Sequence, residues 1–110
     1  MTTDFQELTS MIVAFRDERN WKQFHNPKDL ALALSIEAAE LNEAFLWRKA
    51  EEGDLKKIAE ELADVLVYAL LLAHESGLDP KQIILDKMDV NAAKYPAEKS
   101  RDSARKYTEL

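Results

Sequence analysis

Cysteine is absent from the 110 residues. That excludes disulfides and thiolate zinc sites as sources of stability or chemistry. Glycine and proline are scarce, at two and three residues, and each falls where a helix would start or stop. Strand-like alternation is missing. Positive charge is in deficit: 15 Lys and Arg against 21 Asp and Glu leave a formal net charge of -6. Such a chain makes a poor duplex nucleic-acid binder, although a nucleotide stays open because divalent cations invert the local sign. No apolar run exceeds Val65 to Ala73, far too short to span a bilayer. The start, MTTDFQELTS, lacks the basic residues and apolar stretch of a signal peptide, so no membrane partner and a cytoplasmic location are expected.

What is present is helical periodicity over a length that suits one domain. Phe5, Leu8, Met11, Ile12 and Phe15 space a first helix from about Asp4 to Asn20. The connector WKQFHNP follows, and Asn26 before Pro27 reads as a cap with proline at the first helical position. A second helix is expected from Pro27 or Lys28 to Glu51, broken by EEGD. Asp54 caps a third helix that runs to Ser76 and stops at Gly77. Asp79 and Pro80 start a fourth, which ends before Pro96. The expectation is an all-α fold: a four-helix domain over residues 1–96, with a polar tail, 97–110, flexible by composition.

The middle helices carry more apolar surface than one partner covers. Leu30, Leu34, Leu41 and Phe45 form one stripe of the second helix, and Leu32, Ile36, Ala39 and Leu46 form another on the opposite side. Past Asp64 the third helix is apolar nearly all round, the pattern of a helix buried on several sides. An obligate oligomer is expected.

Between these stripes sit acids. Glu37 and Glu40 lie three apart in SIEAAELNEAF, and Glu61 and Asp64 three apart in EELADVLVY, so each pair shares a helix face. A hairpin of the two helices brings all four together, where they raise one another's pKa values or recruit cations. Hard oxygen donors suit Mg²⁺, with Mn²⁺ as substitute, and metal-assisted phosphoryl or nucleotidyl hydrolysis is the natural chemistry. The plain alternative is a solvated acidic face, which is how Glu43, Glu51, Glu52, Glu60 and Glu75 read. Neither pair contains histidine, which argues against the Glu-x-x-His di-iron site; His74 belongs instead with the carbonyl end of its helix. Aromatic residues extend the acidic faces. Trp47 lies ten residues past Glu37 and near its azimuth, and Tyr68 one turn past Asp64. With His25, and with Trp21 and Phe24 nearby, they offer stacking surfaces and polar edges for a flat base.

The ExxE and ExxD pairs, the blocks RNWKQFHNPKDLALALSIEAAELNEAFLW and EELADVLVYALLLA, and above all KMDVNAAKYP and SRDSARKYTEL resemble the MazG-like all-α nucleoside triphosphate pyrophosphohydrolases, in particular their dCTP pyrophosphatase branch. The resemblance runs from about Phe15 to the end. It implies Mg²⁺-dependent conversion of a dNTP, dCTP or a modified dCTP, to the monophosphate and pyrophosphate, as nucleotide-pool house-cleaning. It implies Glu37, Glu40, Glu61 and Asp64 as metal ligands, with Glu37 or Glu40 activating the attacking water. His25, Trp47, Tyr68, Trp21 and Phe24 would surround base and sugar. Lys87, Asn91 and Tyr95 would meet the phosphates, joined by Arg101, Arg105 and Lys106 if the tail orders over the site. A homotetramer built as a dimer of dimers is implied too; the two apolar faces per middle helix favour sites lined by more than one subunit. The reading from a different class is a helical module that senses a nucleotide or divalent ion without chemistry. A purely structural bundle would leave the acids solvated.

Overall fold

The computed structural model describes residues 4–110, and no strand occurs among them. The chain divides into two compact units that part between Leu78 and Asp79. The first holds α1 (Asp4–Glu18), α2 (Pro27–Glu43) and α3 (Leu55–Glu75), with short 3-10 turns at Trp21–Phe24 and Ala50–Glu52. The second holds α4 (Pro80–Lys94), the single-turn α5 (Ala97–Ser100) and a terminal 3-10 turn at Tyr107–Glu109.

Local chemistry accounts for the boundaries. The Asn26 side chain accepts a hydrogen bond from the Asp29 N–H at 2.9 Å, and Pro27 follows at the first position of α2. Asp54 caps α3 by accepting from the N–H groups of Lys56 and Lys57, and Asp79 caps α4 through Lys81. Each bond satisfies an N–H that has no partner within its helix. After α3 the chain leaves through Gly77 at φ +69°, a left-handed conformation that glycine takes without penalty.

One expected boundary moves. α2 stops at Glu43 rather than Glu51, because the N–H groups of Ala44, Phe45 and Leu46 bond three residues back, to Leu41, Asn42 and Glu43. That tightening turns Phe45 against the returning chain. A Cβ added at Gly53 would collide with the Phe45 ring, so glycine is what lets the hairpin close there. Trp47 takes a positive φ of 62° in the link and is 94% exposed. It therefore does not continue the Glu37 face as a longer helix would have made it do.

α2 and α3 form the most extensively packed pair of helices, and α1 packs on α3. The buried apolar centre is small: Leu30 at the start of α2, Leu70, Leu71 and Ala73 at the end of α3, and Ala44 in the link. The inward stripe of α2 is the one containing Leu30. The opposite stripe is open: Leu32, Ile36 and Leu46 are exposed, as are Leu62 and Leu66 of α3. α3 packs against α2 and α1 but is not enclosed by its own chain, in line with the excess of apolar surface on the middle helices.

The second unit has more local order than its composition implies. α5 adds a helical turn after Pro96, the Tyr107 ring meets Tyr95 edge-on at 6.0 Å, and the Lys94 ammonium sits 4.8 Å from the Tyr107 ring centre.

Leu30, 1% exposed, is the largest fully buried side chain among the described residues. Leu30→Ala should lower unfolding free energy by about 2–5 kcal/mol, read as a lower urea midpoint. A loss below about 0.5 kcal/mol would mean that the site collapses freely or was never packed.

Candidate active site

Glu37 lies in the second half of α2 and Glu61 and Asp64 in the first half of α3. The hairpin brings the three together, with one carboxylate oxygen of each within 4.8 Å of the others. Glu40, one turn on from Glu37, is within hydrogen-bonding reach of Glu37 and Glu61. All four expected carboxylates therefore gather at one place, three of them in a tight group.

The electrostatics follow from crowding. Burial first, then the Glu40 hydrogen bond and charge, then Asp64 and Glu61, push the Glu37 carboxyl up to about 7. Glu61 is raised too, by burial and by the Glu40 charge, with Lys57 opposing. The Lys57 ammonium stands 3.9 Å from the Glu61 carboxylate, too distant for one cation to neutralise the group. Among the described residues, Glu37 Oε2 and Glu61 Oε2 are shut off from solvent and have no hydrogen-bond partner. An all-oxygen donor set with two orphaned carboxylate oxygens fits a hard divalent ion such as Mg²⁺ or Mn²⁺.

Beside this group opens a cavity of about 150 Å³. Trp21, His25, Tyr68 and Asp64 all line it, with Ile12, Val67 and Leu71 supplying apolar wall. Three of the expected base-binding residues thus share one cavity, and Asp64 belongs to both cavity and acidic group. Burial, with the charges of Glu37, Asp64 and Glu40, raises the Tyr68 hydroxyl, so Tyr68 stays a neutral donor. His25 is lowered by burial and then by Arg16, against Glu75, which favours neutral imidazole, and its Nδ1 is buried without a partner.

Two other expected residues lie outside this cavity, and six belong to the second unit. Phe24 is exposed and does not line the cavity, and Trp47 stands out from the link. Lys87, Asn91 and Tyr95 are on or just after α4, and Arg101, Arg105 and Lys106 follow α5, all in the second unit.

The cavity also contains a residue that pattern reading passed over. Arg16 of α1 is 2% exposed and lines it. Its guanidinium donates to Glu75 of α3 at 2.5 Å and to Asp17 at 3.2 Å. Glu75 is therefore half of a shielded ion pair rather than an ordinary surface acid, and the Arg16 hydrogen bond holds its carboxyl below the usual range. The signal was present: Arg16 falls four residues after Ile12, inside the apolar stripe of α1, where a lone cation needs a buried partner.

A helical hairpin that presents carboxylates from both arms beside an aromatic-walled cavity defines an all-α class with an acidic, metal-competent centre. Comparison with known proteins narrows this class. Residues 32–110 match the model of the MazG-like family, and the chain belongs to that family. It is 41% identical to human dCTP pyrophosphatase 1 and 40% identical to the bovine protein, over 96% of its own length. The chain spans about two thirds of those relatives, 66% and 67% of their lengths. A crystal structure of a pyrophosphatase from Archaeoglobus fulgidus superposes with a TM-score of 0.80 at 38% identity, covering 87% of this chain and 95% of that one.

The raised Glu37 pKa has a consequence for stability. The folded protein holds this proton more tightly than the unfolded chain does. Its stabilising contribution is complete below about 4.5 and is lost as pH rises through about 7. In EDTA the melting temperature should fall across this window, and Glu37→Gln should flatten the fall. At the alkaline end Mg²⁺ should restore stability to the native chain. An equal pH slope in the two proteins would show that Glu37 is not the group responsible.

Proposed function

We propose that this chain is a Mg²⁺-dependent pyrophosphohydrolase. It converts a deoxynucleoside triphosphate, dCTP or a modified dCTP, to the monophosphate and pyrophosphate in house-cleaning of the nucleotide pool. The observation that carries this reading is the position of Asp64, shared between the carboxylate group and the aromatic cavity. A nucleotide whose base enters the cavity has its phosphates at the acids, where four carboxylates repel it unless a divalent ion intervenes. The names of the relatives point to the same chemistry.

Glu37, Glu40, Glu61 and Asp64 would hold the ion. When bound, it would offset their charge and polarise the phosphate oxygens. The chain's own groups do the rest. Trp21 and Tyr68 flank the base, and the wall between them excludes water from it. Glu37 or Glu40 accepts the proton of the attacking water. The water oxygen bonds to the α-phosphorus as the bond from that phosphorus to the α–β bridging oxygen breaks, and pyrophosphate leaves with that oxygen. Lys87, Asn91, Tyr95, Arg101, Arg105 and Lys106 are the proposed phosphate contacts, whose positive members offset triphosphate charge.

The proposal includes a homotetramer, a dimer of dimers, supported by the open stripe of Leu32, Ile36 and Leu46 and by exposed Leu62 and Leu66. Trp47, absent from its own chain's cavity, would then serve another copy's base site. Leu32→Glu combined with Leu66→Glu should shift the assembly to the 12.6 kDa monomer in light scattering. An unchanged mass would remove these faces from the interface.

The reaction is tested by pyrophosphate release from canonical and 5-substituted dNTPs and NTPs, with Mg²⁺ and with EDTA. Release is expected with Mg²⁺ only, greatest for a deoxycytidine nucleotide. Asp64→Asn and Glu40→Gln should lower turnover by about 10²-fold or more while circular dichroism stays native. Near-full activity in either would discard the carboxylate assignment, and silence of the native protein across the panel would discard the enzyme.

A further inference from the structure

We propose that Arg16 selects the base: its guanidinium presents N–H donors at the wall of the Trp21–Tyr68 cavity that read the adjacent O2 and N3 acceptors of cytosine. This rests on the nucleotide reading above and supplies its base-discriminating group.

Three observations lead to it. The first is the placing of the charge. Arg16 is almost wholly buried, yet it lines the cavity. A buried ion pair that served only to join α1 to α3 could lie anywhere along their contact. A guanidinium carries five N–H donors and no acceptor, and the bonds from Nε to Asp17 and from the terminal nitrogen to Glu75 engage two of them. Those bonds also anchor the guanidinium and leave three of its donors unengaged by them.

The second is size. A cavity of 150 Å³ accommodates a single six-membered aromatic ring; one of that volume binds benzene. A pyrimidine fits where the second ring of a purine does not.

The third is the polarity of a second lining group, His25. Neutral His25 has one ring nitrogen that donates and one that accepts, and its Nδ1 is shielded with no partner. Cytosine shows acceptor, acceptor, donor along its O2, N3 and N4 edge. Two donors from Arg16 and one acceptor from His25 complement that order. Uracil and thymine turn an N3–H towards Arg16, donor against donor. A site built on such bonds rejects the mismatched edge far more strongly than an apolar pocket rejects a change of size.

The experiment compares dCTP with dUTP. Wild type, Arg16→Met, Glu75→Gln and the double variant Arg16→Met with Glu75→Met are assayed for kcat/KM on both nucleotides. The same proteins are titrated with dCMP and dUMP by tryptophan fluorescence. The double variant replaces the ion pair with apolar packing, which keeps α1 and α3 joined if the single change leaves Glu75 uncompensated. Arg16→Met and the double variant should lose about tenfold or more on dCTP and less than about threefold on dUTP. Glu75→Gln, which retains the donors, should keep the native preference. A parallel fall on both nucleotides would reduce Arg16 to a structural clamp and overturn the proposal, as would a native preference that survives Arg16→Met. If native protein releases no pyrophosphate from any dNTP, the proposed reaction fails by itself. The dCMP and dUMP affinities then decide the base reading, and equal values overturn it.

Discussion

The first unit is organised around a repulsion. Glu37, Glu61 and Asp64 are held with oxygens within 4.8 Å of one another, and Glu40 adjoins them. Carboxylates at such spacing do not stay together by preference. The hairpin carries its buried apolar residues at its far end, Leu30 on α2 and Leu70, Leu71 and Ala73 on α3, and is closed at its turn by the approach of Phe45 to Gly53. Apolar packing at both ends of the α2–α3 seam thus imposes proximity on the charges between them. The repulsion is then relieved in one of two ways: by a proton, as the raised Glu37 carboxyl indicates, or by a cation. Proton and metal compete for the same oxygens, so fold stability, pH and divalent binding are one linked equilibrium.

The opposite sign of charge is managed on the same helix. α3 carries Asp64 in its first half and Glu75 at its last residue, and Arg16 lines the cavity that Asp64 also borders. An unrestrained guanidinium there would be drawn onto the acidic group and would neutralise the centre without a metal. Arg16 is instead engaged by Glu75 and Asp17. Breaking the shielded pair by removing one partner costs about 3–5 kcal/mol, whereas an apolar pair of similar volume is often no less stable. Stability alone therefore does not account for an ion pair at this place.

Much of this was legible in residue pattern. The caps Asn26, Asp54 and Asp79 and the stop at Gly77 are local chemistry, decided by side chains within three residues of the bonds they make. The acidic group was legible because i, i+3 spacing and a short link together leave few ways to pack. The early end of α2 was not, since no glycine or proline marks it: the chain turns because the Phe45 ring finds Gly53, a contact eight residues away. Trp47 lost its helical azimuth for that reason. Arg16 stands out within the apolar stripe of α1, but its partner was missed because Glu75 is an ordinary charge in its own helix. Only the packing of α1 on α3 makes them a pair, and a separation of 59 positions hides it.

Size sets the remaining condition. Among the described residues five apolar side chains are buried, while Leu62 and Leu66 of α3 and the outer stripe of α2 stay open. A core that small is weak support for a hairpin that must also hold repelling acids. The open residues border the acidic group in sequence: Ile36 precedes Glu37, and Leu62 and Leu66 bracket Asp64. In the proposed oligomer a second copy covering them would do more than add apolar burial. It would remove water from beside the carboxylates, lower the local dielectric and strengthen their repulsion. Assembly would then increase the demand for a divalent ion, and a bound ion would in turn stabilise the assembly, because each changes the free energy of the other by the same amount.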